Sequence, residues 1–142
     1  MAAFNKFQDF SEQLSEGIHN FASHTFKLAL TNSAPSAANT VLADITQITA
    51  ANGYPAGGTA IGSVTCTESA GTTTIAGNKV TFTASGGSVG PFRYVVMYND
   101  TSTSDNLVGW WDYGSAVTLA AAETFDVKPS NVDTGGTILT VA

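Results

Sequence analysis

FRYVVMYND (residues 92–100), TSTSDN (101–106) and LVGWWDYG (107–114) form the stretch whose reading decides the fold. Phe92, Tyr94, Val96 and Tyr98 fall on one face of an extended strand, and Arg93, Val95 and Met97 on the other. Leu107, Gly109, Trp111 and Tyr113 alternate in the same way with Val108, Trp110 and Asp112. Both runs are β-branched or aromatic and are bounded by Gly, Pro, Asn and Asp, as strands are. The polar connection is too short for a crossover helix, so the two strands are antiparallel. Large side chains on both faces place the pair in mid-sheet, with a second sheet over one face and a further covering over the other, such as a neighbouring subunit.

Working outward, the chain in order reads as short strands separated by turns. Thr25–Thr31 is a first strand and Thr40–Thr49 a short helical turn or covering loop. Asn52–Gly58 is a sharp turn and Ile61–Thr67 a second strand. Thr72–Ala76 and Lys79–Ala84 read as a hairpin across Gly77-Asn78. Gly114-Ser115 turns into Val117–Leu119, followed by strands at Thr124–Lys128 and Thr137–Val141. This spacing predicts an all-β fold: an antiparallel β-sandwich, jelly-roll-like or a partly closed barrel. Ahead of it, Phe4, Phe7, Phe10, Leu14, Ile18 and Phe21 recur at spacings of three and four, which predicts one amphipathic helix over residues 4–21. The chain therefore divides into residues 1–22, a helical segment or arm, and residues 23–142, the sandwich. The apolar stripe is expected to anchor the segment on its own sheet or on an adjacent subunit.

Composition narrows the function. Only 11% of the 142 residues are charged, against about a quarter in a typical domain. The net charge is −6 and the basic residues are few and scattered, which excludes a phosphate-tracking surface and with it nucleic-acid binding. Weak charge leaves a protein poorly protected against association, so a dimer or trimer is expected. No apolar run approaches the ~20 residues of a membrane span, and the N-terminus lacks an apolar signal core. The expectation is a product made in the cytoplasm with no membrane partner.

The search for chemistry finds no catalytic cluster, metal site or cofactor motif, and predicts a non-enzyme. His19 and His24 lack a nucleophile or a metal-spaced partner and read as structural. Cys66, the lone cysteine, reads as a small buried hydrophobe. Asp100, Asp105 and Asp112, with Asn99, Thr101 and Thr103, gather oxygens near one hairpin end. Their spacing fits no calcium-binding loop of the EF-hand kind, and a solvated turn explains them. Tyr94, Tyr98, Trp110, Trp111 and Tyr113 suit either a core plus an interface or a stacking platform for sugars; the first reading is favoured.

HTFKLALTNSAP (24–35), TVLADITQITAANGYPAGG (40–58), GPFRYVVMYND (90–100) and LVGWWDYGSAVTLAAAETF (107–125) resemble a family of small virion proteins of tailed bacteriophages. The resemblance covers nearly the whole chain and is closest to capsid decoration, or cement, proteins. It implies a structural role on the outer surface of a phage head, with the major capsid protein and further copies of this chain as partners, and no active-site residues. A tail or fibre subunit and a carbohydrate-binding sandwich module are the alternatives. The residues expected to meet a partner are Phe4, Phe7, Phe10, Leu14, Ile18, Phe21, Trp110, Trp111 and Tyr113.

Overall fold

The computed structural model describes residues 2–142. In chain order its elements are β1 (Asn5–Lys6), α1 (Phe10–Ser15), β2 (Phe26–Thr31), a 3-10 turn at Leu42–Asp44, β3 (Thr59–Ala60), β4 (Thr65–Ser69) and β5 (Thr72–Gly77). Then come β6 (Val80–Thr83), β7 (Val89–Asn99), β8 (Leu107–Leu119), β9 (Thr124–Val127), a short turn at Pro129–Asn131 and β10 (Gly136–Val141). The fold is all-β and antiparallel, with one short helix. Among the described residues, no helix is long and apolar enough to cross a membrane.

The expected central pair is present. β7 and β8 run antiparallel with Val95 opposite Trp111 and Val96 opposite Trp110. They lie inside a five-stranded sheet ordered β1-β8-β7-β2-β3. A three-stranded sheet, β10-β5-β4, and a two-stranded ribbon, β6-β9, complete the sandwich. One face of the five-stranded sheet presents Leu28, Leu30, Val95, Met97, Val108 and Trp111 to the main core, where Ile75, Phe82, Val127 and Ile138 from the other strands meet them. The opposite face carries Ala29, Val96, Tyr98 and Leu107. Its covering comes from the chain itself: Phe7 and Ile45 pack there, with Leu42 and Trp110 alongside.

Strict alternation does not hold along the central pair. The register shifts between Phe92 and Tyr94 and again between Met97 and Tyr98. A bulge adds a residue to one strand and so moves later side chains to the other face. Phe92, across the first irregularity, joins Val95 and Met97 in the main core rather than Val96 and Tyr98. The turn expected at Gly114-Ser115 is the β8 side of the first of these shifts, since Tyr94 faces Asp112 and Phe92 faces Val117. β8 continues through it to Leu119, with Gly114 at φ +99°.

The expected hairpin across Gly77-Asn78 does not form. β5 pairs with β4 and β10, while β6 pairs with β9. The tight hairpin lies one turn earlier, at Ala70-Gly71, where φ is 51° and 85°. Positive φ at both central residues is what a two-residue hairpin loop needs. Beyond Gly77 the backbone instead bonds sideways, Asn78 N–H to the Gly62 carbonyl and Lys79 N–H to the Asp133 carbonyl, both at 2.9 Å. These bonds carry the chain from one sheet to the other.

The N-terminal helix is much shorter than the periodicity predicts. It occupies Phe10–Ser15 alone. Gly17, at φ +80°, ends it. The Ile18 N–H bonds the Gln13 carbonyl at 2.9 Å and the Gly17 N–H bonds the Leu14 carbonyl at 3.2 Å, the pairing by which a left-handed glycine closes a helix. Upstream, Asn5 and Lys6 are extended and pair with Trp110 and Gly109. The spacing of the phenylalanines is thus shared by a strand, a helical turn and a loop.

Candidate interaction surfaces

β1 lies along the edge of β8, so successive side chains of the N-terminal segment pass on either side of the sheet. Trp110 and Trp111, adjacent in the strand, point to opposite faces. The Phe7 ring lies 4.6 Å from Trp110 on one face, and the Phe4 ring 5.4 Å from Trp111 on the other, edge to face. Close approach of the segment requires Gly109, because a Cβ there would strike the Phe4 ring and the Asn5 carbonyl. Phe10 and Phe21 continue into the main core, Phe21 stacked on Phe26 at 4.5 Å.

The expected partner-binding residues therefore separate into groups. Phe7, Phe10, Phe21 and Trp111 are buried within the chain. Phe4, Leu14, Ile18 and Trp110 are partly covered. Phe4 and Leu14 pack against the main core, and Trp110 packs against the smaller cluster. The stripe is one row in the sequence but not one face in space, and the segment packs on its own sheet. Tyr113 stands apart at 56% exposed, its ring held edge-on by Phe125 at 5.3 Å. Trp111, Phe125, Val127 and Asn131 border a groove of about 220 Å³ beside it.

Sequence reasoning missed a polar chain that fixes the segment. The Asp9 carboxylate accepts from Gln13 Nε2 at 2.7 Å, and Gln13 Oε1 faces His19 Nε2 at 3.1 Å. His19 Nδ1 lies 3.2 Å from Asn99 Nδ2, which also donates to the Ile18 carbonyl and faces His24 Nδ1 at 3.0 Å. Asn99 Oδ1 accepts the N–H groups of Thr101 and Ser102, at 3.0 and 3.2 Å, which fixes its amide with the NH2 toward the histidines. Gln13, with its NH2 turned to Asp9, presents its oxygen to His19 and so puts the His19 proton on Nε2, leaving Nδ1 an acceptor; the two N–H bonds of Asn99 are shared among the Ile18 carbonyl and the two histidine Nδ1 atoms. His19 and Asn99 are buried. Burial, and secondarily the neighbouring His24, pull the His19 pKa from 6.5 down to about 4.

The loop over residues 99–106 is an exposed turn at Asp100, Thr101, Thr103 and Ser104, and Asn99 is the residue that departs from that reading. Asn99 is fully buried and organises the loop, while Asp100 pairs with Lys27 at 3.2 Å. Asp112 belongs to β8, where Arg93 grips it through two bonds of 2.8 and 3.0 Å; the guanidinium holds its carboxyl below the usual range. Among the described residues, no group of three His, Cys, Asp or Glu side chains comes together. Cys66 is exposed rather than buried, because β4 is an outer strand with every residue open to solvent. The periodicity of Thr65–Ser69 could not reveal this, since a strand exposed on both faces has no apolar side.

A cleft of about 610 Å³ lies between the N-terminal segment and the end of β10. Phe4, Phe10, Leu14, Leu139 and Val141 line it, with Lys6 at its border. No family model, curated protein or solved structure matches this chain.

Proposed function

We propose that this chain is a non-enzymatic structural protein of a phage virion, a decoration protein that binds the outside of the head and steadies contacts between capsomers. What supports the reading is the resemblance of residues 24–35, 40–58, 90–100 and 107–125 to small virion proteins, in a chain that exposes strand edges and apolar grooves. The weakly charged sandwich offers the extended β4 edge, the β10 cleft and the Tyr113 groove, all suited to protein contact. Its partners on this reading are the major capsid protein and further copies of itself.

The test is to add purified protein to heads lacking it. Binding at a fixed copy number, visible as regular density by electron microscopy, together with greater resistance of the heads to heat, is the expected result. Absence from heads and presence on tails in the same particles would replace the decoration role by that of a tail subunit. The Tyr113 groove favours a second reading, a sugar site, because an exposed aromatic ring paired edge-on with Phe125 borders it. A glycan screen with Tyr113→Ala as control decides that reading.

A further inference from the structure

We infer that the cleft beside β10 is a docking site for an extended peptide segment of another protein, which adds as a strand to the free edge of β10 and directs a carboxylate to Lys6. Strand order supplies the first observation. β10 is the outer strand of its sheet, bonded on one side only to β5. The turn at Pro129–Asn131 packs against the beginning of β10, where Ser130 Oγ donates to the Thr137 carbonyl at 3.0 Å. The later residues, 139–142, instead border the open cleft. A free edge of this length offers backbone donors and acceptors to an added strand.

The wall opposite supplies the second observation. Phe4, Phe10 and Leu14 face Leu139 and Val141 across the cleft. Alternate side chains of an added strand point to one side of it, so every second residue would enter this apolar space. An apolar residue at those positions is what the cleft selects.

Charge supplies the third. Lys27, Lys79, Arg93 and Lys128 each pair with an aspartate. Among the described residues, Lys6 is the basic side chain with no ion pair; its ammonium donates only to Ser11 Oγ at 2.7 Å. On a chain of net charge −6, an unpaired cation at the border of an apolar cleft favours a segment that carries one acidic residue beside its apolar ones. This site is independent of the capsid reading, because what it recognises is peptide backbone, apolar side chains and one carboxylate.

The experiment titrates isotope-labelled full-length protein with synthetic eight-residue peptides in which Val alternates with Thr and a single Asp lies at one end or the other. Amide shifts in residues 4–14 and 138–142, saturating with one peptide, are expected. Methylating the peptide nitrogens that face β10 should weaken binding by about tenfold or more, and so should Asp→Lys in the peptide or Lys6→Glu in the protein. Combining the last two should restore much of the loss, which a merely misfolded variant would not do. No shift with either peptide, binding indifferent to methylation, or shifts confined to the Tyr113 groove would each overturn the proposal. So would light scattering showing that a second copy of the chain already fills the cleft in solution.

Discussion

Acid should loosen the N-terminal segment before it affects anything else in the protein. His19 is 5% exposed, and its two ring nitrogens are committed, Nε2 toward Gln13 and Nδ1 toward Asn99. A second ring proton would point at the Asn99 NH2, whose orientation Thr101 and Ser102 fix from the far side. Asp9 reaches His19 only through Gln13, and His24 faces the same amide, so no carboxylate stands ready to compensate the charge. The folded pKa is about 4 against 6.5 for the ordinary group. Below 6.5 the unfolded chain therefore binds a proton that the folded chain refuses, and stability falls as pH falls. Each tenfold difference in proton affinity between the folded and unfolded chain is worth ~1.4 kcal/mol, so the loss reaches ~2 kcal/mol near pH 5 and levels at ~3 kcal/mol below pH 4. The depressed carboxylates Asp44, Asp112 and Asp133 lose their contributions only at lower pH, as they protonate below their ordinary 3.8. The interval from about pH 6.5 to 5 thus belongs to the histidine. Calorimetry should show Tm about 6 °C lower at the acid end of that interval. Ring resonances followed by NMR should show His19 uncharged throughout it. A flat Tm, or a His19 ring that titrates near its ordinary value, would refute the argument.

Three further outcomes follow from the packing. A truncation starting at Ser23 removes Phe7, Phe10 and Phe21, each buried; at ~1.5–3 kcal/mol apiece this approaches the whole stability of a domain, so circular dichroism should find no cooperatively folded truncate. Phe7→Ala should cost ~3–5 kcal/mol in denaturant unfolding and Trp111→Ala a similar amount, with Trp110→Ala costing less because Trp110 is only partly buried. Gly58→Ala should cost ~3 kcal/mol or more, because Gly58 sits at φ +76° and a Cβ would collide with the Leu28 carbonyl; a melting temperature close to the parent's would count against that.

The strand content was legible where alternation coincided with bulky residues, as in Phe26–Thr31 and in the β7–β8 pair. It failed where a local signal was shared by two geometries. Gly77-Asn78 is a good hairpin dipeptide, yet neither residue takes positive φ, and the turn went to Ala70-Gly71. The phenylalanine spacing fits a helix, but pairing of Asn5 with Trp110 and the stop at Gly17 leave room for less than two turns. Of the expected site residues, the adjacent tryptophans behave as strand neighbours must, while the stripe turned out to serve both faces of one sheet. The polar chain through Gln13, His19 and Asn99 was not legible, because Asn99 is far from the other two in sequence and each alone resembles an ordinary surface residue.

The five-stranded and the three-stranded sheets treat their edges differently. The five-stranded sheet ends on both sides in strands of 2 residues, β1 and β3. Very short edge strands offer little to an incoming chain. Past β1, the edge of β8 is interrupted by the bulge that carries Gly114: Asp112 faces Tyr94, but the next partner of β7 in this direction is Val117, opposite Phe92. Such a bulge twists an edge away from flat pairing. The three-stranded sheet has no equivalent protection on β4, whose register with β5 runs unbroken from Thr65 to Ser69 and whose one charge is Glu68. On β10 the shift near Ile138 lies ahead of the residues that border the cleft. The open edges of the three-stranded sheet, β4 and the end of β10, thus lie on the same sheet, with little charge beside them. On the face around Trp110, Phe7 closes over the sheet and helps to hold the chain together.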